Sequence, residues 1–241
     1  STSVDTSFSL LGKESNLFFI HISYLHPIPS TGKAGVKKKG NASKLSAVLK
    51  ILGGQFRSRR LKTPRENDVT RPWTGKARES VMNQLRGHLN DRIILDLFAG
   101  VGTMGLEAIS RGANTAVMVE KDRKIFTLLQ ENIEILGCQN QAVPIQADAL
   151  SSIPLLRVPR PIDVVFIDPP YAMMKQETLR NMVLEQIDKI SHILDPEGLI
   201  VLRTPENPTQ VSHAIESLAG PEIHKEGAGM WILFYGAKSD E

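Results

Sequence analysis

A short segment in the second half of the chain joins an acid, two prolines and an aromatic residue. It consists of Asp168, Pro169, Pro170 and Tyr171. The apolar run of residues 162–167 precedes it, so the segment stands at the end of a predicted buried strand. Proline fixes φ and lacks an N–H group, which ends a strand and stiffens the following turn. The pattern predicts a rigid turn that presents a carboxylate, a fixed carbonyl and an aromatic ring together.

These groups fit methylation of an exocyclic amine on a nucleic-acid base. Such an amine is a poor nucleophile because its lone pair is delocalised into the ring. Two acceptors for its N–H groups, the Asp168 side chain and the Pro169 carbonyl, favour the pyramidal form that can attack a methyl group. Tyr171 is expected to stack on the base, which must be unpaired or flipped out of a helix. Stacking on an aromatic ring returns roughly 1–3 kcal/mol.

A glycine-rich turn earlier in the chain predicts the methyl donor. Gly100, Gly102 and Gly105 give a G-x-G-x-x-G pattern between a predicted strand and a helix, which by itself indicates only a nucleotide-like ligand. Asp96 ends the strand before this turn and would repel a pyrophosphate. It suits the cationic methionine part of S-adenosylmethionine. The structural alternative is an Asp that accepts N–H groups of the turn, and both roles are compatible.

Two acids after the next two predicted strands complete the expected cofactor site. Glu120 can accept both ribose hydroxyls, and Asp148 can accept a hydrogen bond from the adenine amine. Ligands of open α/β sheets bind at the carboxyl ends of the strands, where all of these acids stand. Each acid alone can equally be a surface loop residue. The predicted cofactor-binding residues are Asp96, Phe98, Ala99, Gly100, Gly102, Glu120, Asp148 and Ala149.

The elements that must position these residues alternate between strands and helices. Strands are predicted at 93–98, 116–120, 142–146, 164–168 and 199–203, and helices at 103–111, 123–136 and 175–193. Residues 222–225 and 230–235 predict a closing hairpin, and residues 75–89 a helix with Val81, Met82 and Leu85 on one face. This order predicts an α/β fold with a doubly wound, mostly parallel sheet.

Charge divides the chain into a basic and an acidic part. Residues 1–90 hold 16 Lys and Arg against 5 Asp and Glu, whereas residues 91–241 hold 13 against 21. We therefore expect a flexible basic tail at 1–49, a basic RNA-contacting region at 50–90 and a methyltransferase domain at 91–241. Solvated basic residues and helix-surface ion pairs are the alternatives. The predicted RNA-binding residues are Arg57, Arg59, Arg60, Arg71, Trp73, Lys76 and Arg78.

The motifs in combination resemble the RsmD family of Rossmann-like class I methyltransferases, which methylate guanine N2 in bacterial 16S ribosomal RNA. The matching segments are 51–61 (ILGGQFRSRRL), 71–79 (RPWTGKARE), 96–102 (DLFAGVG) and 168–171 (DPPY), and the resemblance covers residues 50–235. It implies a seven-stranded sheet of order 3-2-1-4-5-7-6, S-adenosylmethionine as cofactor and ribosomal RNA or the small subunit as partner. Three positions depart from the family pattern: Trp73 where Thr is usual, Lys76 where Arg is common, and Arg203 where an acid is common.

Other functions stay open from the residues alone. DNA adenine-N6 and protein-glutamine methyltransferases use a similar tetrapeptide, although the former usually carry a recognition insert and the latter Asn at position 168. An NAD-dependent oxidoreductase would leave residues 168–171 unexplained, and a non-catalytic RNA-binding protein would leave the cofactor positions unexplained.

The remaining expectations concern compartment, metal and assembly. Cys138 is the single cysteine, so no intrachain disulfide forms, and no metal-ligand spacing is present. The apolar patch of residues 17–25 is too short to span a bilayer. We expect a cytoplasmic monomer, with organellar import as the alternative because residues 1–49 are rich in Ser and poor in acidic residues.

Overall fold

Parallel strands and their connecting helices form most of the structure, a computed structural model that describes residues 49–64, 73–227 and 229–238. These residues belong to one compact unit, Ser46–Glu241. The predictions for residues 1–48 and for Arg71 lie outside the described residues. The proposed division at residue 90 stays a prediction. No helix among the described residues is long and apolar enough to cross a membrane.

One seven-stranded sheet forms the centre of the fold. Its strands are β1 (Ile93–Asp96), β2 (Thr115–Glu120), β3 (Ala142–Gln146), β4 (Ile162–Ile167), β5 (Leu194–Thr204), β6 (Leu218–Lys225) and β7 (Trp231–Ala237). They lie in the order β3-β2-β1-β4-β5-β7-β6, with the first five parallel and β7 antiparallel to both β5 and β6. The predicted fold class, the mostly parallel sheet and its order are confirmed.

Six helices accompany the described part of the sheet. They are α1 (Gly75–Gln84), α2 (Thr103–Ser110), α3 (Arg123–Leu136), α4 (Ile153–Arg157), α5 (Tyr171–Lys175) and α6 (Glu177–Ser191). Thr74 starts α1 by accepting a hydrogen bond from the Ala77 N–H, and Asp122 starts α3 in the same way from Lys124 and Ile125. Gly137 ends α3 with a φ of +72°, a conformation that glycine adopts without strain.

Several boundaries differ from the predictions. The first helix ends at Gln84 rather than at residue 89, and Gly87 then adopts a φ of +92°. The chain leaves the strand at Asp96 rather than at residue 98, because it turns there into the glycine loop. The apolar residues before Gly53 suggest a short strand, but the described residues form only an isolated bridge there, between Lys50 and Arg60. The short helices α4 and α5 were not predicted, since neither is long enough to show helical periodicity.

The core occupies both faces of the sheet, and side chains alternate between them. Ile94, Val164 and Val201 pack on the face that contacts α1 and α2, whereas Leu95, Val165 and Ile200 pack on the opposite face. Because successive strand residues point to opposite faces, Asp96 and Arg203 lie on the same face as Ile94 and Val201. The alternation therefore places both charged residues on the α1 side of the strand ends.

Buried polar side chains fix the basic segment 49–64 to the helices of that face. Glu107 of α2 accepts hydrogen bonds from the Leu52 and Gly53 N–H groups, each at 2.8 Å. Asn132 of α3 accepts from the Lys62 N–H at 2.7 Å and donates to the Val101 carbonyl at 3.0 Å. A β-carbon on Gly54 would lie 1.7 Å from a carbonyl oxygen of α2, so only glycine permits this approach. The segment is consequently docked against α2 and α3, and one of its anchors also holds the glycine loop.

Candidate active site

The predicted site residues meet at the carboxyl ends of neighbouring strands. Asp96 ends β1, Glu120 ends β2 and Asp168 follows β4 directly. Arg203 lies at the penultimate position of β5, the strand that pairs with β4. The order β2-β1-β4-β5 therefore brings three acids and one arginine to a single edge, which is where open α/β sheets bind ligands.

The glycine loop between β1 and α2 is held by two of these acids. Asp96 Oδ2 accepts a hydrogen bond from the Gly105 N–H at 3.0 Å, and Glu120 Oε2 accepts one from the Gly100 N–H at 3.0 Å. Gly102 has a φ of +90°, and a β-carbon there would lie 2.5 Å from the Leu129 side chain. At Gly100, with φ of +55°, no described atom lies within 4 Å of a β-carbon position. The loop thus needs glycine at both positions and leaves open space beside Gly100.

Asp96 is buried and faces a surplus of negative charge. Asp96 is only 2% exposed to solvent. Its pKa is raised to about 7, mainly by burial and against the hydrogen bond from Gly105, with the charges of Asp168 and Glu120 adding to the rise. A cation bound next to these acids would relieve the burial penalty. The ammonium and sulfonium of S-adenosylmethionine meet this requirement, whereas the pyrophosphate of a dinucleotide does not.

The other predicted cofactor residues line the ends of β2 and β3. Glu120 Oε1 accepts from the Asp122 N–H at 2.7 Å, and burial raises the Glu120 pKa. Asp148 forms an ion pair with Lys121 at 2.7 Å and accepts from the Leu150 N–H at 3.0 Å, and Lys121 lowers its pKa. Both carboxylates are thereby ordered by the protein. Each oxygen still has a lone pair for a hydroxyl or amine donor.

Three apolar residues complete this side of the site. Phe98 is partly buried against the core face opposite α1. Ala99 is buried, and its N–H donates to the Val119 carbonyl at 2.9 Å. Ala149 is also buried, and its carbonyl accepts from the Gln186 side chain at 3.0 Å. These hydrogen bonds therefore fix the backbone at Ala99 and at Ala149.

The tetrapeptide turns from β4 into α5 as a rigid unit. Asp168 follows the strand, Pro169 is buried, Pro170 is exposed, and Tyr171 is the first residue of α5. The Pro170 carbonyl accepts from the Met173 N–H at 2.8 Å, which fixes the turn to the helix. The hydroxyl of Tyr171 is buried and has no hydrogen-bond partner among the described residues. A buried polar atom without a partner at a predicted catalytic position suits a ligand that is still to bind.

Arg203 contacts the tetrapeptide directly. Its Nε–H donates to Asp168 Oδ1, and its guanidinium lies over the Tyr171 ring, 5.3 Å from the ring centroid. The guanidinium also lies 4.9 Å from the Trp73 ring centroid. The guanidinium is consequently in contact with two aromatic rings. Trp73 and Arg203, two of the departures from the family pattern, are thus in contact with each other.

The Asp168 carboxyl is balanced between opposing influences. Burial raises its pKa to about 6, whereas the charge and hydrogen bond of Arg203, with a contribution from the Trp73 indole N–H, lower it. The distance and angle of this indole N–H do not amount to a hydrogen bond with any described residue, so its contribution is the weakest of the three. Asp168 is therefore mostly ionised at neutral pH and can accept a hydrogen bond.

The predicted RNA-binding residues fall into two groups. Arg57, Arg59, Arg60 and Lys76 are exposed, and Arg59 donates to the Ile135 carbonyl of α3. Arg78 is only 3% exposed and donates to the Lys50 carbonyl at 3.0 Å, with Glu107 within 3.8 Å. The prediction that Arg78 contacts RNA is therefore corrected: its charge is used inside the fold. Trp73 is also buried, and it contacts Arg203 beside the turn of residues 168–171 rather than lying on an exposed basic surface.

Residue patterns in the sequence assign no role to three residues near the site, Arg203, Glu107 and Asn132, and Arg203 stands out only as a departure from the family pattern. Glu107 does carry a signal, because it is a charged residue inside the otherwise apolar run of α2. No group of three or more His, Cys, Asp or Glu in the described ranges is arranged to hold a metal ion.

Comparisons with known proteins agree with this geometry. The model of the family described as conserved hypothetical protein 95 matches residues 49–234. The ribosomal RNA small subunit methyltransferase D of Escherichia coli K12 is 39% identical over 146 residues, which are 61% of this chain and 71% of that protein. The protein of the same name from Haemophilus influenzae is 29% identical over 175 residues, 70% of this chain and 86% of its own. The solved structure of yhhF from Escherichia coli, described as a methyltransferase, covers 79% of this chain and 98% of its own at 29% identity, with a TM-score of 0.63.

Proposed function

The chain belongs to the family of conserved hypothetical protein 95, the RsmD family, and from this membership we propose that it methylates the N2 amine of a guanine in small-subunit ribosomal RNA, with S-adenosylmethionine as donor. Its relatives from Escherichia coli and Haemophilus influenzae are named as methyltransferases of that RNA. The proposal extends their acceptor class to this chain and adds the position of the methyl group.

One observation carries the proposal: a buried acid, Asp96, and a partly buried acid, Asp168, stand at neighbouring strand ends, and both have raised pKa values. Asp96 ends β1 below the glycine loop, and Asp168 follows β4 at the rigid turn. The first favours a cationic donor, and the second offers an acceptor for an amine N–H. Tyr171 lies directly after the turn and adds a ring for stacking. Methylation of a base amine needs each of these features in this proximity.

The chain's own residues orient the two reactants. S-adenosylmethionine, when bound, supplies an electrophilic methyl group on a sulfonium. Asp96 and Glu120 are placed to hold its cationic and ribose parts, and Asp148 with the backbone near Ala149 is placed to hold its adenine. The Asp168 carboxylate and the Pro169 carbonyl accept the two amine N–H groups, which localises the nitrogen lone pair. Tyr171 keeps the base plane fixed, and such orientation can lower a barrier by several kcal/mol.

Asp168 also gives the released proton a place to go. As the nitrogen–methyl bond forms and the sulfur–methyl bond breaks, the bonding electrons return to sulfur and the amine becomes more acidic. The pKa of Asp168 is about 6, so its carboxylate can take one N–H proton and pass it to water. The reaction therefore ends with methylated neutral amine and one free proton.

The exposed cations of the basic segment support a polyanionic acceptor. Arg57, Arg59 and Arg60 present their charges to solvent on the segment 49–64, which is anchored to α2 and α3, and Lys76 is exposed on α1. Anchored cations meet phosphates with less loss of freedom than cations on a mobile tail. Asn132 binds both this segment and the glycine loop, so the basic segment is fixed relative to the cofactor turn.

The test is direct labelling of candidate acceptors. The protein is incubated with methyl-labelled S-adenosylmethionine and, separately, small subunits that lack their modifications, naked ribosomal RNA, duplex DNA and a protein extract. Nucleoside analysis should locate the label in N2-methylguanosine, and Asp168→Ala should remove it. Label in adenine of DNA or in protein glutamine would overturn the acceptor assignment. Cofactor binding without label in any acceptor would favour a non-catalytic RNA-binding protein.

A further inference from the structure

We propose that Arg203 is a positioning residue for the methyl acceptor: it holds the Asp168 carboxylate in the orientation and charge state that the amine requires, while Trp73 and Tyr171 hold Arg203. The inference rests on the proposed function for its kinetic consequence but not for its spectroscopic one. No role follows for Arg203 from the residue patterns, and an acid is common at its position in the family.

The geometry fixes the guanidinium in three directions. Its Nε–H donates to Asp168 Oδ1, the Trp73 ring lies 4.9 Å away, and the Tyr171 ring lies 5.3 Å away. The residue is 4% exposed, so solvent does not compete for these contacts. A planar guanidinium in contact with two rings loses little further freedom when it binds a carboxylate, in contrast to a lysine ammonium on a flexible chain.

The hydrogen bond from Arg203 gives the two oxygens of the Asp168 carboxylate different roles. Oδ1 receives the Arg203 Nε–H, which restrains rotation of the carboxylate. In this proposal Oδ2 is the acceptor for the incoming amine N–H. Without Arg203 the carboxylate would gain freedom, and each productive encounter would have to select one orientation.

Arg203 is also needed to keep the Asp168 carboxyl ionised. Among the described residues, Arg203 from β5 is hydrogen-bonded to Asp168, Asp96 from β1 is close enough for the two carboxyls to interact, and Tyr171 from α5 lies against the Arg203 guanidinium. Burial favours the protonated carboxyl of Asp168, and among the described residues Arg203 is the cation that opposes it, through its charge and its hydrogen bond. A protonated Asp168 would have a donor where the amine also brings a donor. Arg203 therefore keeps the acceptor active at neutral pH.

Trp73 offers a readout that needs no substrate. The chain has two tryptophans, and Trp231→Phe leaves Trp73 as the single indole, next to Arg203 and Asp168. In this background we expect Trp73 fluorescence to titrate with a midpoint near pH 6, the pKa of Asp168. Asp168→Asn should remove the transition, which separates it from the titration of Asp96.

Substitution of Arg203 should move that midpoint. Arg203→Gln removes the charge but keeps much of the volume, so the midpoint should rise by roughly 1–3 pH units. Arg203→Lys keeps the charge without the planar fork, so its midpoint should lie between the two. Thermal unfolding and cofactor affinity of each variant show whether the fold is retained. An unchanged midpoint in both variants would overturn the inference.

Methyl transfer supplies the second readout. At pH 7 we expect Arg203→Gln to lower kcat about tenfold or more with little change in the KM for RNA, and to regain much of the loss near pH 9. Arg203→Lys should restore part of kcat at pH 7. A loss that is equal at every pH would indicate a merely structural role and would contradict the inference. A wild-type protein that shows the Trp73 titration but labels no RNA would contradict the proposed function alone.

Discussion

The proposed cofactor side and the proposed acceptor side of this site, called below the cofactor side and the acceptor side, are built in different ways. The cofactor side consists of the β1–α2 glycine loop with Asp96 and the acids that end β2 and follow β3, all within residues 96–149. Its contacts are mainly carboxylates that accept backbone N–H groups of nearby turns. The acceptor side joins Trp73, residues 168–171 and Arg203, three segments that are far apart in sequence.

The glycine turn of the cofactor side forms from local backbone geometry. The acceptor-side cluster forms only when segments distant in sequence pack together. On the cofactor side, glycines with positive φ and strand-end acids would form the same turn in any sheet of this topology. On the acceptor side, the orientation of Asp168 depends on a guanidinium delivered by β5 and on an indole delivered by the segment before α1. A substitution on the cofactor side should therefore leave the structure of the acceptor side largely unchanged, and the reverse.

The largest effect is expected from Asp168→Ala. The substitution removes the carboxylate acceptor from the acceptor side, so methyl transfer should fall by about 10²–10³-fold, the usual cost of losing one preorganised polar partner. Cofactor affinity, measured by calorimetry, should stay within about twofold of the wild type. An equal loss of cofactor affinity would show that the two sides are not separable.

Asp96→Asn should affect the opposite side. The cofactor loses its buried anionic partner, so its affinity should fall about tenfold or more. The cofactor-free variant should also be more stable than the wild type at pH 8, by roughly 2–4 kcal/mol, because the ionised Asp96 is buried at a cost. The native carboxyl has a pKa of about 7 and the unfolded one about 3.8, so wild-type stability falls as pH rises through this window.

Denaturant unfolding at two pH values checks this prediction. At pH 4 the wild-type Asp96 is protonated in the folded state, and the gain from Asn should largely vanish. A stability difference that is the same at pH 4 and pH 8 would show that charge burial is not its cause.

The basic segment extends the acceptor side, and its exposed and buried arginines should respond differently. The double substitution Arg57→Gln with Arg60→Gln should weaken RNA binding several-fold and reduce the salt slope of log K by up to about 2. Arg78→Gln is the matched control, because it should lower stability by about 3 kcal/mol without changing the slope. Binding titrations over a range of salt concentrations measure both. A reduced slope in Arg78→Gln would restore it as a phosphate contact.

The smallest effect is expected from Trp73→Phe. The change keeps a ring against Arg203 but removes the indole N–H and weakens the cation–π contact by roughly 0.5–1 kcal/mol. Methyl transfer should fall a few-fold, with cofactor affinity unchanged. A drop as large as that of Asp168→Ala would mean that Trp73 contacts the acceptor base itself.

Much of the fold was predictable because it depends on local periodicity. The apolar strands separated by amphipathic helices gave the parallel sheet, and the residue motifs placed the acids at the strand ends. Boundaries were less predictable: α1 ends at Gln84 although apolar residues continue to Leu89, since the chain turns at Gly87. The exposed cations of residues 57–60 resemble Arg78 in sequence, and only packing against Glu107 distinguishes the latter.

The sequence by itself determined the class of fold, the glycine turn and the rigid turn after β4, because spacing, proline and glycine act over a few residues. Only the tertiary structure decided the partners of the charged side chains. Arg203 meets Asp168 because β5 lies beside β4, and it is held by Trp73 because the basic segment and α1 pack on the same face. Such contacts join residues up to 130 positions apart (from Trp73 to Arg203), and no local pattern encodes them.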